Sequence, residues 1–159
     1  MRILLINQCF HPDLAATAQY AGDLASYLAE CGHRVHVLAA DHAYGRPKIR
    51  YARRECWQGI NIERLRCLEL GKSRPHTRLV SFASFWAACS ARLATLPAFD
   101  LVISMTSPPF IGALAAAFVA AKGGRLAHWV MDLNPDEAVA AGWLRPTSPL
   151  TSMLERLLR

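Results

Sequence analysis

Acidic and amide side chains crowd the segment that follows the apolar run 126–131; they are Asp132, Asn134, Asp136 and Glu137. A carboxylate there can accept a hydrogen bond from a substrate hydroxyl group or act on it as a general base. Asp136 can equally cap a short helix predicted over 137–141. That structural role does not account for Asp132, which is the candidate catalytic residue.

A second polar segment, residues 7–18, leads into the first predicted helix. Unpaired N–H groups and the helix dipole favour an anion at such a helix start. The small side chains of Ala15, Ala16 and Ala18 leave room for a bulky ligand, although they serve ordinary helix packing equally well. The segment contains neither GxGxxG nor GxxxxGK[ST], so it has no dinucleotide fingerprint and no P-loop.

The third segment, residues 104–110, offers the hydroxyl groups of Thr106 and Ser107 and a second helix start. These hydroxyls can bind a ligand at the same place as the first segment. For Ser107 the alternative is a helix cap followed by Pro109 in the first helical turn.

The six histidines and five cysteines lack the spacing of a metal site or a nucleophilic triad. His33 and His36 flank the start of a strand and point in different directions, while Cys9 and His11 form only a weak pair. An odd number of scattered cysteines argues against a disulfide framework and fits a reducing compartment. We therefore expect no metal site and no bound cofactor.

Five short apolar segments alternate with helical patterns, which predicts an α/β fold with a Rossmann-like, doubly wound, mostly parallel sheet. The predicted strands are 2–6, 35–39, 59–65, 101–105 and 126–131. The predicted helices cover about 17–31, 74–96, 109–121 and 149–159, and residues 40–58 are predicted to be a loop. The predicted order across the sheet is third, second, first, fourth and fifth strand, with a switch point between the first and the fourth. This order places segments 7–18, 104–110 and 131–137 at the same edge of the sheet.

Two helices have predicted packing faces. In the first, Thr17 is the expected cap, and the apolar face consists of Tyr20, Leu24, Tyr27 and Leu28. In the second, the apolar face consists of Leu79, Phe82, Phe85, Trp86, Cys89 and Leu93.

The formal charge of +6 is concentrated in the basic residues of 46–54 and 64–78. This region can be a solvated loop, or it can meet anionic lipid, a phosphorylated substrate or nucleic acid. Nucleic acid is the least supported partner because no binding motif accompanies the charge. Residues 101–121 are uncharged, but Pro108 and Pro109 split them into a strand and a helix. We expect a cytoplasmic protein that contacts the membrane peripherally, if at all.

Five segments in this order carry a family resemblance: RILLINQCFHPDLAATAQY, GHRVHVLAA, RRECWQGINIERLR, DLVISMTSPPFIGALAA and LAHWVMDLNPDEAVAAGWLRP. Together they resemble the N-terminal domain of family-4 glycosyltransferases with the GT-B fold, and most of all the bacterial transferases of colanic-acid, O-antigen and capsule synthesis. TSPP and WVxDLxPD are the more specific motifs, whereas the others are generic to Rossmann-like domains.

The resemblance implies a retaining transfer, without a metal, of a sugar from a nucleotide donor to an acceptor, often a sugar linked to undecaprenyl diphosphate. It implies that residues 1–159 form the acceptor-side domain and that the donor-binding domain, with its paired glutamates, is absent. By matched motif, Asp13, Ala15, Ala16 and Thr17 border the donor phosphate and the acceptor. Asp132 and Asp136 lie on the acceptor side.

Two departures from the family pattern matter. Alanines replace the glycine usual in the first loop, and the missing domain implies no catalysis unless a separate polypeptide supplies it. Two alternatives remain open: a non-catalytic Rossmann-like binding module or relic, and a nucleotide-binding Rossmann protein. The missing glycine fingerprint disfavours the second.

Overall fold

The computed structural model describes residues 1–70 and 75–132. The strands in this range are β1 (Arg2–Ile6), β2 (Arg34–Ala40), β3 (His42–Ala43), β4 (Arg46–Arg50), β5 (Arg54–Trp57), β6 (Ile60–Leu65), β7 (Leu101–Ser104) and β8 (Arg125–His128). The helices are α1 (Ala16–Glu30), α2 (Pro75–Thr95) and α3 (Ile111–Lys122). The predicted helices over 137–141 and 149–159 lie outside the described residues.

Six strands form one sheet in the order β5-β6-β2-β1-β7-β8. All neighbours in it are parallel except β5 and β6. The five predicted strands therefore occur in the predicted order, and the doubly wound α/β class is confirmed.

The prediction of a loop over residues 40–58 is wrong. β3 and β4 pair into an antiparallel hairpin, and β5 adds an antiparallel strand beyond β6. The turn between β5 and β6 is Gln58-Gly59, and both residues have positive φ, 49° and 78°. Positive φ at both central residues is the geometry of the tight hairpin turn that matches the twist of paired strands.

The sheet is covered on both faces. Leu4 and Leu38 point to one face and pack in a cluster with Phe85 of α2 and Phe118 of α3. Leu5 and other residues of the opposite face pack in a second cluster with alanines of α1. Neighbouring residues of one strand thus enter separate cores, as the period of two in a strand requires.

The predicted packing faces of the helices need correction. In α1 the residues buried against the sheet are small: Ala18, Ala21, Gly22 and Ala25. Tyr20 and Tyr27 remain 50% and 63% exposed, because the small residues let the helix backbone lie close to the sheet. In α2 Phe85, Cys89 and Leu93 are buried as predicted, but Leu79 is 68% exposed.

A buried arginine fixes the loop that follows β1. The Arg64 side chain, 1% exposed, donates from Nη2 to the carbonyl oxygen of His11 at 2.7 Å. Its Nη1 donates to the Ala52 carbonyl at 2.9 Å and to the Glu55 carboxylate at 2.7 Å. The His11 ring also stacks on Trp57, with centroids 4.0 Å apart. β5, β6 and the loop after β1 therefore form one connected unit.

The uncharged stretch 101–121 forms β7 and most of α3 rather than one continuous element. Among residues 1–70 and 75–132, no helix combines the length and the apolar character that crossing a membrane requires.

Replacing Arg64 tests the anchoring of the first loop. Arg64→Met removes the donor to the His11 and Ala52 carbonyl oxygens and breaks the ion pair with Glu55, and we expect it to lower the free energy of unfolding by about 3 kcal/mol. Urea unfolding of the full chain measures this difference. Arg53→Met, at an exposed neighbouring position, is the matched control and should change stability by about 0.5 kcal/mol or less. Equal stability of the two variants would contradict the anchoring role.

The turn from α3 into β8 provides a second test. Gly123 and Gly124 both have positive φ, 84° and 104°. A Cβ on Gly124 would collide with the carbonyl oxygen of Phe99, whereas one on Gly123 would meet nothing within 4 Å. Gly123→Ala should therefore cost about 1–3 kcal/mol, the strain of an alanine at φ 84° and ψ 179°, a conformation almost confined to glycine. Gly124→Ala should cost about 1–3 kcal/mol more than that, because the collision adds to the strain of its own positive φ. Similar urea unfolding midpoints for the two variants would rule out the close approach.

Candidate functional site

The loops after β1 and β7 meet at one edge of the sheet. The Met105 amide donates to the Ile6 carbonyl at 3.1 Å, and the Gln8 amide donates to the Ser107 carbonyl at 2.6 Å. On the other side of β1, the Asn7 amide donates to the Leu38 carbonyl at 3.2 Å. The predicted switch point between the first and fourth strands is therefore present, and the winding of the sheet reverses there.

The segment after β8 joins the same edge. The Trp129 amide donates to the Ser104 carbonyl at 2.8 Å. Met131 packs against the cluster that contains Met105. Next to it, the carboxylate of Asp132 accepts a hydrogen bond from Thr106 Oγ1 at 3.2 Å. Asp132 is exposed while Thr106 is 6% exposed, so a buried hydroxyl orients a carboxylate that faces the solvent.

The predicted residues of the first loop divide between two places. Ala15 is the N-cap of α1, in an extended conformation and without a side-chain hydrogen bond, and Ala16 is the first helical residue. Thr17 lies inside the helix, so its prediction as the cap is wrong. Its carbonyl accepts a hydrogen bond from Asn7 Nδ2 at 3.5 Å. The first turn of α1 contains no acidic residue, so no side chain of that turn places a negative charge beside its N–H groups.

Asp13 lies on the other flank of this loop. Its Oδ2 accepts a hydrogen bond from the backbone N–H of Tyr44 at 2.7 Å. The carboxylate thus ties the loop to the β3–β4 hairpin, and the structure records no contact between Asp13 and Asp132.

Ser107 does not cap α3. The residue before the helix is Phe110, with φ of 62° and no side-chain cap. The Ser107 hydroxyl instead lies 3.9 Å from Cys9 Sγ, across the junction of the two loops. Thr106 and Ser107 are thus both at the switch point, whereas Asp136 lies outside the described residues.

Two buried amides at the switch point, both in the polar segment 7–18, were not predicted as site residues. Asn7 and Gln8 are 0% and 1% exposed. Asn7 Oδ1 and both amide atoms of Gln8 have no hydrogen-bond partner among residues 1–70 and 75–132. Leaving such atoms unpaired costs stability, so they are typical of functional sites. The signal in the sequence was a polar pair directly after an otherwise apolar strand.

Two aromatic rings flank the exposed side of the site. Tyr20 and Trp129 have ring centroids 6.3 Å apart and are 50% and 36% exposed. The neighbouring His128 has its Nδ1 2.8 Å from Ser104 Oγ. A Cβ on Gly112 would sit 2.9 Å from the His128 ring, so glycine at this position of α3 lets the ring pack against the helix.

A second polar cluster follows β2 and β6, beside the first loop. It consists of Asp41, His42, Cys67 and Glu69, which are between 3% and 7% exposed. Burial raises the pKa of the Cys67 thiol to about 12, so at neutral pH this cysteine is no nucleophile. Burial also raises the pKa of the neighbouring Tyr44. Sequence spacing could not reveal this cluster, because His42 and Cys67 are 25 residues apart.

The arrangement at the switch point suits a polyhydroxylated or anionic ligand. The Asp132 carboxylate can accept hydrogen bonds from hydroxyl groups, the start of α1 can receive an anion, and the aromatic rings can cover an apolar face.

Comparison with known proteins agrees with this architecture. Among solved structures, the fold is similar to that of sucrose-phosphate synthase from Thermosynechococcus elongatus, with a TM-score of 0.60 at 17% identity. The match covers 98% of this chain and 39% of that one, so the chain spans well under half of its structural relative. This identity supports the fold alone, an α/β lobe of the GT-B type. No curated protein matches the chain.

A match to a family model identifies the family. Residues 16–159 match the model of the glycosyl transferase 4-like domain, which is most of the chain and includes Thr106 and Asp132. The protein therefore belongs to the family of glycosyl transferase 4-like domains, whose N-terminal lobe of the GT-B fold it forms.

Proposed function

We propose that this chain is the acceptor-binding half of a retaining glycosyltransferase that moves a sugar from a nucleotide-sugar donor to a lipid-linked glycan in cell-surface polysaccharide synthesis. The observation that carries the proposal is the exposed Asp132 carboxylate, held by buried Thr106 at the switch point of a glycosyl transferase 4-like domain. In open α/β sheets, ligands bind in the crevice at this point.

The donor site requires a second lobe. The match with a chain of which this one covers 39% supports a partner lobe, whether in the same polypeptide or in a separate subunit. That lobe would hold the nucleotide sugar across the crevice. The start of α1, free of acidic residues in its first turn, would then face the donor diphosphate with unpaired N–H groups.

The acceptor would lie between the loop after β7 and the segment after β8. Asp132 would accept a hydrogen bond from the acceptor hydroxyl and take its proton as the hydroxyl oxygen bonds to the anomeric carbon of the donor sugar. The bond from that carbon to the diphosphate oxygen breaks in the transfer, and the nucleoside diphosphate leaves. Thr106 would act as a positioning residue, because its hydroxyl already occupies one carboxylate lone pair. The exposed rings of Tyr20 and Trp129 offer apolar faces against which the C–H side of a sugar can pack.

A basic and apolar surface would bring the domain to its lipid-linked acceptor. The β3–β4 hairpin exposes Arg46, Lys48 and Ile49, and its Arg50 donates to the Cys67 carbonyl at 3.3 Å. The hairpin is thereby fixed beside the segment that follows β6.

That segment adds the apolar part of the surface. Leu68 and Leu70 are 52% and 48% exposed, and their amides bond to Ser84 and Ser81 of α2 at 2.7 and 3.1 Å. Leu79 and Val80 on the same helix are 68% and 43% exposed. Cationic residues beside exposed leucines are the composition that binds anionic membrane surfaces.

Asp132→Asn tests the catalytic proposal. In the enzyme that combines this chain with its donor-binding lobe, we expect turnover to fall about 100-fold or more, because the amide cannot act as a base. The assay follows transfer from radiolabelled nucleotide sugars to undecaprenyl-linked acceptors. Loss of one exposed hydrogen bond should lower stability by about 1 kcal/mol at most, so the thermal unfolding midpoint serves as the check on folding.

Asp23→Asn is the matched control, because Asp23 is an exposed carboxylate on α1. It should leave turnover unchanged. Equal turnover of the wild type and Asp132→Asn would remove Asp132 from the site. The absence of transfer from any nucleotide sugar by the combined lobes would favour the non-catalytic binding module instead.

Vesicle binding tests the membrane contact. Removing two cationic residues with Arg46→Gln/Lys48→Gln should weaken binding to vesicles rich in anionic lipid about tenfold or more, since each contributes about 1 kcal/mol. Flotation of the full chain with such vesicles measures the bound fraction. Arg34→Gln/Arg125→Gln removes the same charge where β2 and β8 begin, at the opposite edge of the sheet, and should have little effect. Equal losses in both double variants, or equal binding to neutral vesicles, would refute the proposed surface.

A further inference from the structure

We propose that Asp41, His42 and Cys67 form a structural zinc site beside the first loop. The site is independent of the transferase proposal, because it lies at the ends of β2 and β6 rather than at the switch point. It differs from the expectation drawn from sequence spacing, in which no histidine had two further ligands.

The ligand atoms of the three residues already lie close together. One ligand atom from each lies within 4.8 Å of the other two, and Cys67 Sγ is 3.3 Å from His42 Nε2. In a tetrahedral zinc site, ligand bonds of 2.0–2.3 Å place ligand atoms about 3.5 Å apart. Only small movements would therefore bring the three groups around one ion, with a water molecule as the fourth ligand.

The surrounding groups orient these ligands. Glu69 Oε2 lies 3.6 Å from His42 Nδ1, so a carboxylate faces one ring nitrogen while the other faces Cys67. A carboxylate behind the free nitrogen of a ligating histidine is the usual outer partner in zinc sites. For Asp41, the bonds from Arg50 Nη1 and from the Cys67 amide both fall on Oδ1, which leaves Oδ2 for the cation.

The charges and the ligand types favour zinc over magnesium or calcium. Thiolate and imidazole ligands select zinc and similar ions, whereas magnesium and calcium prefer oxygen ligands alone. Binding releases the Cys67 proton to the solvent, since the thiolate is the form that binds a metal. The thiolate and the two carboxylates are then matched by the divalent ion and the Arg50 guanidinium.

Such an ion would strengthen the wall of the candidate site. It would join the segment after β2 to the segment after β6, and Tyr44 in the first of these segments bonds to the Asp13 carboxylate at 2.7 Å. The first loop is thus hydrogen-bonded to a residue two positions after the proposed ligand His42. We therefore expect zinc to stabilise the fold and to leave the chemistry of Asp132 unchanged.

Cobalt substitution of the full chain tests the proposal without a variant. Co²⁺ bound by a thiolate gives a sulfur-to-cobalt charge-transfer band in the near ultraviolet, and we expect one equivalent of Co²⁺ to produce it and Zn²⁺ to abolish it. Zn²⁺ at about 100 times its Kd should also raise the thermal unfolding midpoint by about 5–10 °C. A wild-type chain that shows no such band, or no zinc-dependent rise, would overturn the proposal.

Matched cysteine variants locate the ion. Cys67→Ser keeps nearly the same volume, and we expect it to lose the charge-transfer band and to weaken zinc binding at least tenfold. Cys56→Ser changes an exposed cysteine elsewhere on the sheet and should keep both. A band that persists in Cys67→Ser, or disappears in Cys56→Ser, would show an adventitious ion only and refute the assigned ligands.

Discussion

The candidate site exists because β1 pairs in parallel with strands on both of its sides. β2 and β7 both run alongside it in register, with Ile6 opposite Leu38 and Ser104. All three strands therefore end at one edge of the sheet. From β1 the sheet continues through β2 on one side and through β7 on the other. Backbone hydrogen bonds continue past the strand ends into the loops after β1 and β7, so the junction of these two loops is held in place by the sheet. A side chain such as Thr106 can then be buried and still support an exposed carboxylate.

Much of the sheet could be predicted from the sequence, because buried parallel strands consist of short apolar runs and helices separate them. Strand β5 could not, since it is polar, and the signal for its pairing with β6 is the turn Gln58-Gly59 rather than an apolar pattern. The prediction of the packing face of α1 was wrong for a related reason. Leucine and tyrosine spacing describes a helix that packs through large side chains, whereas this helix approaches the sheet through alanine and glycine.

The site was predictable where it depends on topology. Asp132, Thr106 and Ser107 follow strands whose order was correct, so they meet at one edge as expected. Asp13 was harder to assign, because its partner is a backbone N–H of Tyr44, and no sequence pattern identifies such a bond. The cluster of Asp41, His42 and Cys67 combines two segments that only the pairing of β2 with β6 brings together. None of the three residues belongs to a recognised motif, and their spacing in the sequence does not predict that they are close together in the fold.

The hydrogen bond that anchors the first loop to Arg64 does not depend on which side chain stands at residue 11. Arg64 holds that loop through the carbonyl oxygen of His11, and every amino acid offers the same carbonyl. A substitution at residue 11 would thus keep this anchor and lose only the stacking on Trp57. A lobe built in this way can acquire a different ligand preference by substitutions along the loop while its architecture is retained.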